Sequence, residues 1–127
     1  MTTRDLTSAI AVDASLAPGD YTATSNGASV DLRGFESAAI AFVVGAVTDG
    51  THTPGVEESD DGTTWSAVAA GDLIGGLVAL AANTTQRAGY RGAKRYLRAT
   101  LTVAGATVGA KLAAVIVRGN AAQRPVA

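Results

Sequence analysis

The apolar residues of this chain occur in short, β-branched stretches separated by clusters of Gly, Asn, Asp and Thr. This rhythm is typical of β-strands joined by frequent turns, whereas an amphipathic helix shows apolar residues at every third or fourth position. The chain has 127 residues, which is the length of one domain. The pattern therefore predicts a single all-β domain without long helices.

Three stretches are the clearest predicted strands, and glycine lies within a few residues of each. In one of them apolar and polar residues alternate, which predicts one face toward a core and one toward water. Another is apolar on both faces, which predicts a central strand or a strand whose outer face is covered by something else. The apolar stretch is Ala38 to Val47, the alternating one is Arg95 to Val103, and the third is Lys111 to Arg118.

Turn signals place a β-hairpin over Val56 to Val68. Asp60-Asp61-Gly62 lies there between two extended segments, and Gly supplies the positive φ that a tight turn requires. The segment from Leu73 to Leu80 fits either a short helix or a strand, interrupted at Gly75-Gly76. Gly71 to Gly76 lacks the GK[ST] ending of a phosphate-binding loop, so we predict that it is a turn.

Seven or eight short strands in a chain of this length favour an antiparallel two-sheet β-sandwich or jelly roll over a small closed barrel. We assign residues 30–119 to this sandwich. Residues 1–29 are predicted to be a turn-rich N-terminal arm that orders on a partner, and residues 120–127 a mobile tail. Hydrophobic residues make up 47% of the chain, but many are Ala, so the core buries little area per residue and would gain from association.

The acidic and basic residues are divided between the two parts of the chain. All eleven acidic residues lie between Asp5 and Asp72, and eight basic residues with no acidic one follow from Leu73 onward. The two parts can pair their charges across neighbouring strands of one molecule. Alternatively, a basic edge can meet an acidic edge of another copy or of a partner, or the run from Arg87 to Arg98 can bind nucleic acid.

The formal net charge of -1 opposes general attraction to nucleic acid, so we predict no nucleic-acid partner. The basic residues that we would mutate first are Arg87, Arg91, Lys94 and Arg98.

The sequence offers no set of residues for catalysis. It has no Cys, and its single histidine, His52, lies in a turn-forming sequence that predicts an exposed imidazole. The paired carboxylates Glu57-Glu58 and Asp60-Asp61 would point to opposite faces of a strand, so neither pair converges on a substrate. We therefore predict that the chain is not an enzyme and has no catalytic, cofactor or metal site.

Other candidate sites are weaker. Asp49, Glu57, Asp60 and Asp61 could supply oxygen ligands to calcium, but the alternating DxDxDG spacing is missing. Trp65, the single tryptophan, either caps the core or stands exposed as a platform for a sugar ring. We expect no membrane contact, because neither an apolar run of about 18 residues nor a charged-then-apolar leader occurs.

Two motifs resemble those of a known group of proteins. Glu58 to Trp65 (ESDDGTTW) is followed about thirty residues later by Lys94 to Arg98 (KRYLR), and Val30 to Ser37 (VDLRGFES) leads into the apolar strand. This combination, over Val30 to Arg118, resembles the head decoration or cement proteins encoded beside the major capsid protein in tailed bacteriophages. A similar SxDGxxW and RYxR pair also occurs in discoidin-like jelly rolls that bind carbohydrate or lipid.

The resemblance implies a jelly-roll module on the outer surface of the phage head, within the virion. It implies a homo-oligomer, either a trimer or a dimer, that clamps neighbouring subunits of the major capsid protein and performs no reaction. Two alternatives stay open: a carbohydrate-binding β-sandwich module that presents Trp65 and the His52 loop, and another structural protein of the phage neck or tail.

Overall fold

A computed structural model of the chain describes residues 6–121, which form ten β-strands and two short 3-10 turns, at Thr7–Ala9 and Ala70–Asp72. No α-helix occurs in this range, and no helix in it could span a membrane. The strands are β1 (Ala11–Tyr21), β2 (Ser25–Asn26), β3 (Val30–Asp31), β4 (Phe35–Val47), β5 (Thr51–Ser59), β6 (Ser66–Ala67), β7 (Leu73–Ile74), β8 (Thr85–Tyr90), β9 (Tyr96–Ala104) and β10 (Ala110–Ala121).

The strands form two antiparallel sheets of five strands each. Sheet 1 has the order β1-β10-β4-β8-β7, and sheet 2 has the order β2-β9-β5-β6, with β3 also paired to β9. The first and last strands are neighbours in sheet 1, and most connections cross from one sheet to the other. This is the arrangement of a jelly roll, so the predicted two-sheet sandwich is confirmed.

Strand β9 shows how the alternating pattern builds the core. Leu97, Ala99 and Leu101 are fully buried between the sheets, while the intervening Arg98 and Thr100 lie on the outer side of sheet 2. Because successive side chains of a strand point to opposite faces, the alternation in β9 determines which of its faces points toward the core. The predicted strand and its inward face are confirmed.

Strand β4 is the central strand of sheet 1, as its apolar sequence predicted. Ile40 and Phe42 are fully buried on its inner face. On its outer face, Ala39 and Ala41 are half-buried and Val43 is exposed. The strand is therefore apolar on a face that no other element of the described chain covers.

The structure places much of the predicted N-terminal arm inside the sandwich. β1 pairs with β10 from Ala11 opposite Arg118 to Tyr21 opposite Ala110, with register shifts on both sides of Leu16. These irregularities interrupt the period of two, which is why the sequence shows no clear strand there. The division predicted at residue 29 thus differs from the observed sheet.

The predicted mobile tail lies mostly outside the described residues. Asn120 and Ala121 end β10, and residues 122–127 are not among those described.

The predicted hairpin is confirmed, since β5 pairs with β6 through Glu57 opposite Ala67 and Glu58 opposite Ser66. In the ambiguous segment after it, only Leu73–Ile74 forms a strand. Gly75 follows with a φ of 90°, a conformation that glycine adopts without strain, and ends that strand.

Phe42 is the largest fully buried side chain, in a core that also contains five Leu, four Val and four Ala. We expect Phe42→Ala to lower the free energy of unfolding by about 3–5 kcal/mol, because it removes apolar contacts and leaves a cavity. Urea denaturation measures the change. Phe42→Leu keeps most of the volume and serves as the milder variant, and Val108→Ala, at a residue 57% exposed, should change stability by less than about 0.5 kcal/mol. Equal effects at Phe42 and Val108 would contradict this packing.

Candidate interaction surfaces

Five ion pairs join the acidic part of the chain to the basic part. Each links a carboxylate that precedes residue 73 with a Lys or Arg that follows it, so the prediction of intramolecular pairing is confirmed. The pairs are Lys94–Asp60 (2.7 Å), Arg95–Asp31 (2.7 Å), Arg98–Glu57 (2.5 Å), Lys111–Asp20 (2.9 Å) and Arg118–Asp13 (2.7 Å).

The remaining carboxylates from Asp13 to Asp61 are also bound within the molecule. Asp49 accepts hydrogen bonds from the backbone N–H groups of residues 107–109, which holds the β9–β10 turn. Asp61 accepts from the N–H groups of residues 63 and 64 in the hairpin turn. Glu58 accepts from the Tyr90 hydroxyl at 2.7 Å and Glu36 from the Asn120 amide at 3.1 Å.

These bonds shift the acidity of the groups involved. The Arg95 guanidinium, which donates two hydrogen bonds to Asp31, lowers the pKa of that carboxyl from 3.8 to about 2. Backbone N–H donors, chiefly those of Gly109 and Thr107, lower the pKa of Asp49. Backbone N–H donors, chiefly that of Thr64, do the same for Asp61. All three carboxylates are therefore structural anchors in their charged form.

Three arginines have no such partner. The side chains of Arg33, Arg87 and Arg91 form no hydrogen bond or ion pair with any residue from 6 to 121, and all three are exposed. Of the four residues singled out in the sequence, Lys94 and Arg98 are thus occupied, while Arg87 and Arg91 are free. The two free ones lie on different surfaces.

The first surface is the outer face of sheet 1. Residues opposite each other in an antiparallel pair place their side chains on the same face. This face has three exposed large apolar side chains, Val12 at 57%, Val43 at 49% and Ile74 at 57%. Its apolar residues are Val12, Ala14, Ala39, Ala41, Val43, Ile74, Ala113, Val115 and Val117.

Charged groups also lie on this face, one of them beside its central strand. Arg87, on β8, is opposite Ala41, and Asp20 pairs with Lys111 at one end. Between that end and Val43 runs a shallow, mainly apolar groove with a volume of about 580 Å³. A contiguous apolar surface of this kind marks a site of protein contact.

The second surface is a cleft at one end of the sandwich, here called the basic cleft. It lies between residues 32–38 and residues 90–95, has a volume of about 350 Å³, and is lined by Arg33, Arg91, Lys94 and Arg95. Glu36 is its one acidic lining residue. Arg33 and Arg91 are far apart in sequence, so no local motif marks them, and the sequence analysis found only one of the two.

The structure places His52 in the interior, contrary to the prediction from the sequence. Its turn-forming sequence predicts an exposed imidazole, but the side chain is 1% exposed, with Nε2 at 3.0 Å from the Asp49 carbonyl oxygen. β5 begins at Thr51, so His52 takes the inward position shared by Pro54 and Val56. His52 therefore belongs to the interior, where no substrate reaches it.

Among residues 6–121 no cluster of His, Cys, Asp or Glu could hold a metal ion. The four carboxylates considered for calcium are instead spread over separate contacts: Asp49 with the β9–β10 turn, Glu57 with Arg98, Asp60 with Lys94 and Asp61 with its own turn.

Trp65 neither caps the core nor stands free. Its ring is half-buried and lies 4.3 Å from the Arg98 guanidinium, a cation–π contact, and Arg98 also donates to Glu57 at 2.8 Å. Trp65 follows the hairpin turn, whereas His52 lies six residues before Glu58, which is about 20 Å along a strand. The two residues proposed for a sugar site therefore do not converge.

No protein-family model and no curated protein matches the chain. One similar solved structure is the PBSX exported protein XepA, with 21% identity and a TM-score of 0.56, over 92% of this chain and 39% of that one. Another is that of infectious bursal disease virus, Gx strain, with 15% identity and a TM-score of 0.47, over 91% of this chain and 34% of that one. The chain spans well under half the length of either, and the likeness to XepA shows the fold alone.

Acid should weaken the fold through Asp31. A carboxyl whose pKa is lowered by folding contributes stability above its ordinary pKa of 3.8 and loses it as the pH falls toward about 2. We expect the midpoint of urea denaturation to fall over this range. Asp31→Asn should be less stable at pH 7 and lose less on acidification. Asp72→Asn, at a carboxylate without a side-chain bond among the described residues, should follow the unmodified chain; an unchanged acid response in Asp31→Asn would contradict this account.

Proposed function

We propose that this chain is a structural protein of the virion that decorates the outer surface of a phage head and stabilises contacts between major capsid subunits. The observation that carries the proposal is the uncovered apolar outer face of sheet 1. A protein that works by contact needs such a surface, whereas a protein that works by chemistry needs a convergent set of reactive groups. The jelly-roll fold, which recurs in capsid proteins, and the likeness to the phage-related XepA support the proposal.

The occupant that best fits the outer face of sheet 1 is a second copy of the chain. Five strands about 4.8 Å apart, from two to thirteen residues long with a mean of about nine, give a face of about 600 Å² per copy. Two such faces together bury about 1,200 Å², which reaches the lower end of the range for stable protein interfaces. A two-fold dimer also matches the homo-oligomer that the resemblance implies.

The side chains of this face suit packing against an identical sheet. Ala and Val leave a flat surface, and two sheets pack face to face at a separation of about 10 Å. Arg87 lies on β8, next to the central strand rather than on it, so its long stem can lie along apolar surface while the guanidinium reaches solvent. The dimer would thereby add apolar burial to that of the core.

The role on a phage head is tested by adding the purified protein to heads that lack it. We expect co-sedimentation at hundreds of copies per head, with greater resistance of the heads to heat. Binding in one or two rings of copies would instead favour the neck or tail alternative. No binding, together with binding to a glycan that Trp65→Ala abolishes, would favour the carbohydrate-binding module.

Self-association through sheet 1 is tested by light scattering. We expect a mass of about twice 12.6 kDa, because two copies cover each other's apolar face. Val43→Asp places a carboxylate in that interface and should give a monomer. Val78→Asp is the matched control, since Val78 is 67% exposed but lies outside the outer face of sheet 1. A monomeric unmodified chain, a trimer, or dissociation by both variants would contradict the two-fold interface.

A further inference from the structure

We propose that the basic cleft binds an acidic segment of the shell protein on which this chain docks, with Arg33 and Arg91 contacting its carboxylates. The inference rests on the proposed function for the identity of the partner. It adds a second binding site, separate from the outer face of sheet 1, and names the chemistry of what that site takes.

The first support is the balance of charges inside the molecule. Every carboxylate from Asp13 to Asp61 is held by an ion pair or hydrogen bond of its own chain. Arg33 and Arg91 are exposed in the same cleft, and their side chains form no hydrogen bond or ion pair among residues 6–121. The Arg33 charge contributes to the lowered pKa of Asp31, but Asp31 is bonded to Arg95. Among residues 6–121 the carboxylate left without a side-chain bond is that of Asp72, whose carbonyl oxygen accepts from the Arg91 backbone N–H at 2.7 Å. Its carboxylate forms no ion pair with either arginine, so both guanidinium groups can bind a carboxylate from another molecule.

The second support is that the walls of the cleft are fixed before any ligand binds. On one side, the backbone N–H of Leu32 donates to the Arg95 carbonyl oxygen at 2.7 Å, and Arg95 holds Asp31. On the other, the Tyr90 hydroxyl donates to Glu58 and accepts from the Lys94 backbone N–H at 3.1 Å. A preformed site loses little conformational entropy on binding.

Glycine at position 92 contributes to this rigidity. A Cβ atom there would overlap the Tyr90 hydroxyl and ring. The turn from β8 to β9 therefore lies directly on Tyr90, which is 8% exposed, and this contact sets the position of Arg91 next to it in the chain. Because burial and the hydrogen bond to Glu58 raise the pKa of Tyr90, the hydroxyl keeps its proton and the bond to Glu58 at all ordinary pH values.

The size and charge of the cleft favour a peptide over nucleic acid. A volume of about 350 Å³ is at the small end for ligand sites and holds a few side chains. Lys94 and Arg95 are already neutralised by Asp60 and Asp31, which leaves two free guanidinium groups. Nucleic-acid binding relies on many phosphate contacts, more than two free guanidinium groups can make.

The probe is an acetylated hexaglutamate peptide, titrated into the full-length protein while backbone amide signals are followed by NMR. We expect saturable shifts of Gly34 and Gly92, which line the cleft. Hexaglutamine should cause none. Arg33→Glu with Arg91→Glu should weaken hexaglutamate binding at least tenfold, because both guanidinium groups are replaced by carboxylates.

Val78→Glu with Thr102→Glu is the matched control, since both side chains are exposed and lie outside the basic cleft and the outer face of sheet 1. It should leave peptide affinity within twofold of the unmodified value. Equal loss in this control would show a general charge effect and overturn the proposal. So would shifts outside the cleft, full competition by inorganic phosphate at the same concentration, or tighter binding of a single-stranded oligonucleotide.

Head binding separates this inference from the proposed function. If the unmodified chain binds heads and the Arg33/Arg91 double variant binds them equally well, decoration stands and the cleft proposal fails. If the cleft binds hexaglutamate but heads are not bound, decoration fails and the acidic ligand belongs to a different protein. If both proposals hold, the double variant binds heads more weakly than the unmodified chain while its solution mass stays that of the dimer.

Discussion

The pairing of charges between the early and the late part of the chain sets which surfaces remain free. Exposed ion pairs such as Lys111–Asp20, with side chains 68% and 58% exposed, contribute at most about 1 kcal/mol each. Their main effect is to neutralise the acidic and basic side chains against each other. They also favour the pairing of strands that bring opposite charges together. Arg98 and Glu57 do so within a half-buried cluster under Trp65. Within residues 6–121, three unpaired arginines and the apolar outer face of sheet 1 therefore stay available for contacts with other molecules.

The apolar face follows from how the core is built. The core combines five leucines, two isoleucines and Phe42 with smaller Ala and Val side chains. The outer side of sheet 1 has chiefly Ala and Val and no second layer over it. Covering this outer face with an identical sheet would bury apolar area in addition to that of the core. Self-association would therefore also stabilise the folded chain. The basic cleft stays open in such a dimer and can bind a different partner.

Much of the fold was predictable because it depends on local patterns. The alternation in β9, the two apolar faces of β4 and the hairpin around Gly62 each have a physical signature in a few adjacent residues. β1 was missed because its bulges break the period of two. His52 was wrongly predicted to be exposed, because the glycine and proline around it indicate a turn. The strand β5 in fact begins at Thr51 and includes His52.

The candidate surfaces were harder to predict, for a different reason. Arg33 and Arg91 meet only after β4 and β8 pair in sheet 1, and a long-range contact of this kind leaves no spacing in the sequence. Which basic residues are free is also a property of the folded chain, because Lys94, Arg95 and Arg98 are equally basic in sequence yet bound in the structure. The one visible hint was the apolar outer face of β4.

The central claim is that this chain pairs through the outer face of sheet 1 and docks on a phage head through the basic cleft. A cryo-EM reconstruction of heads incubated with the protein tests this claim most directly. The account predicts paired jelly rolls joined through the outer face of sheet 1, with the basic cleft against the shell and density from an acidic segment beside Arg33. Single copies whose outer face of sheet 1 is open to solvent, or heads without added density, would contradict it.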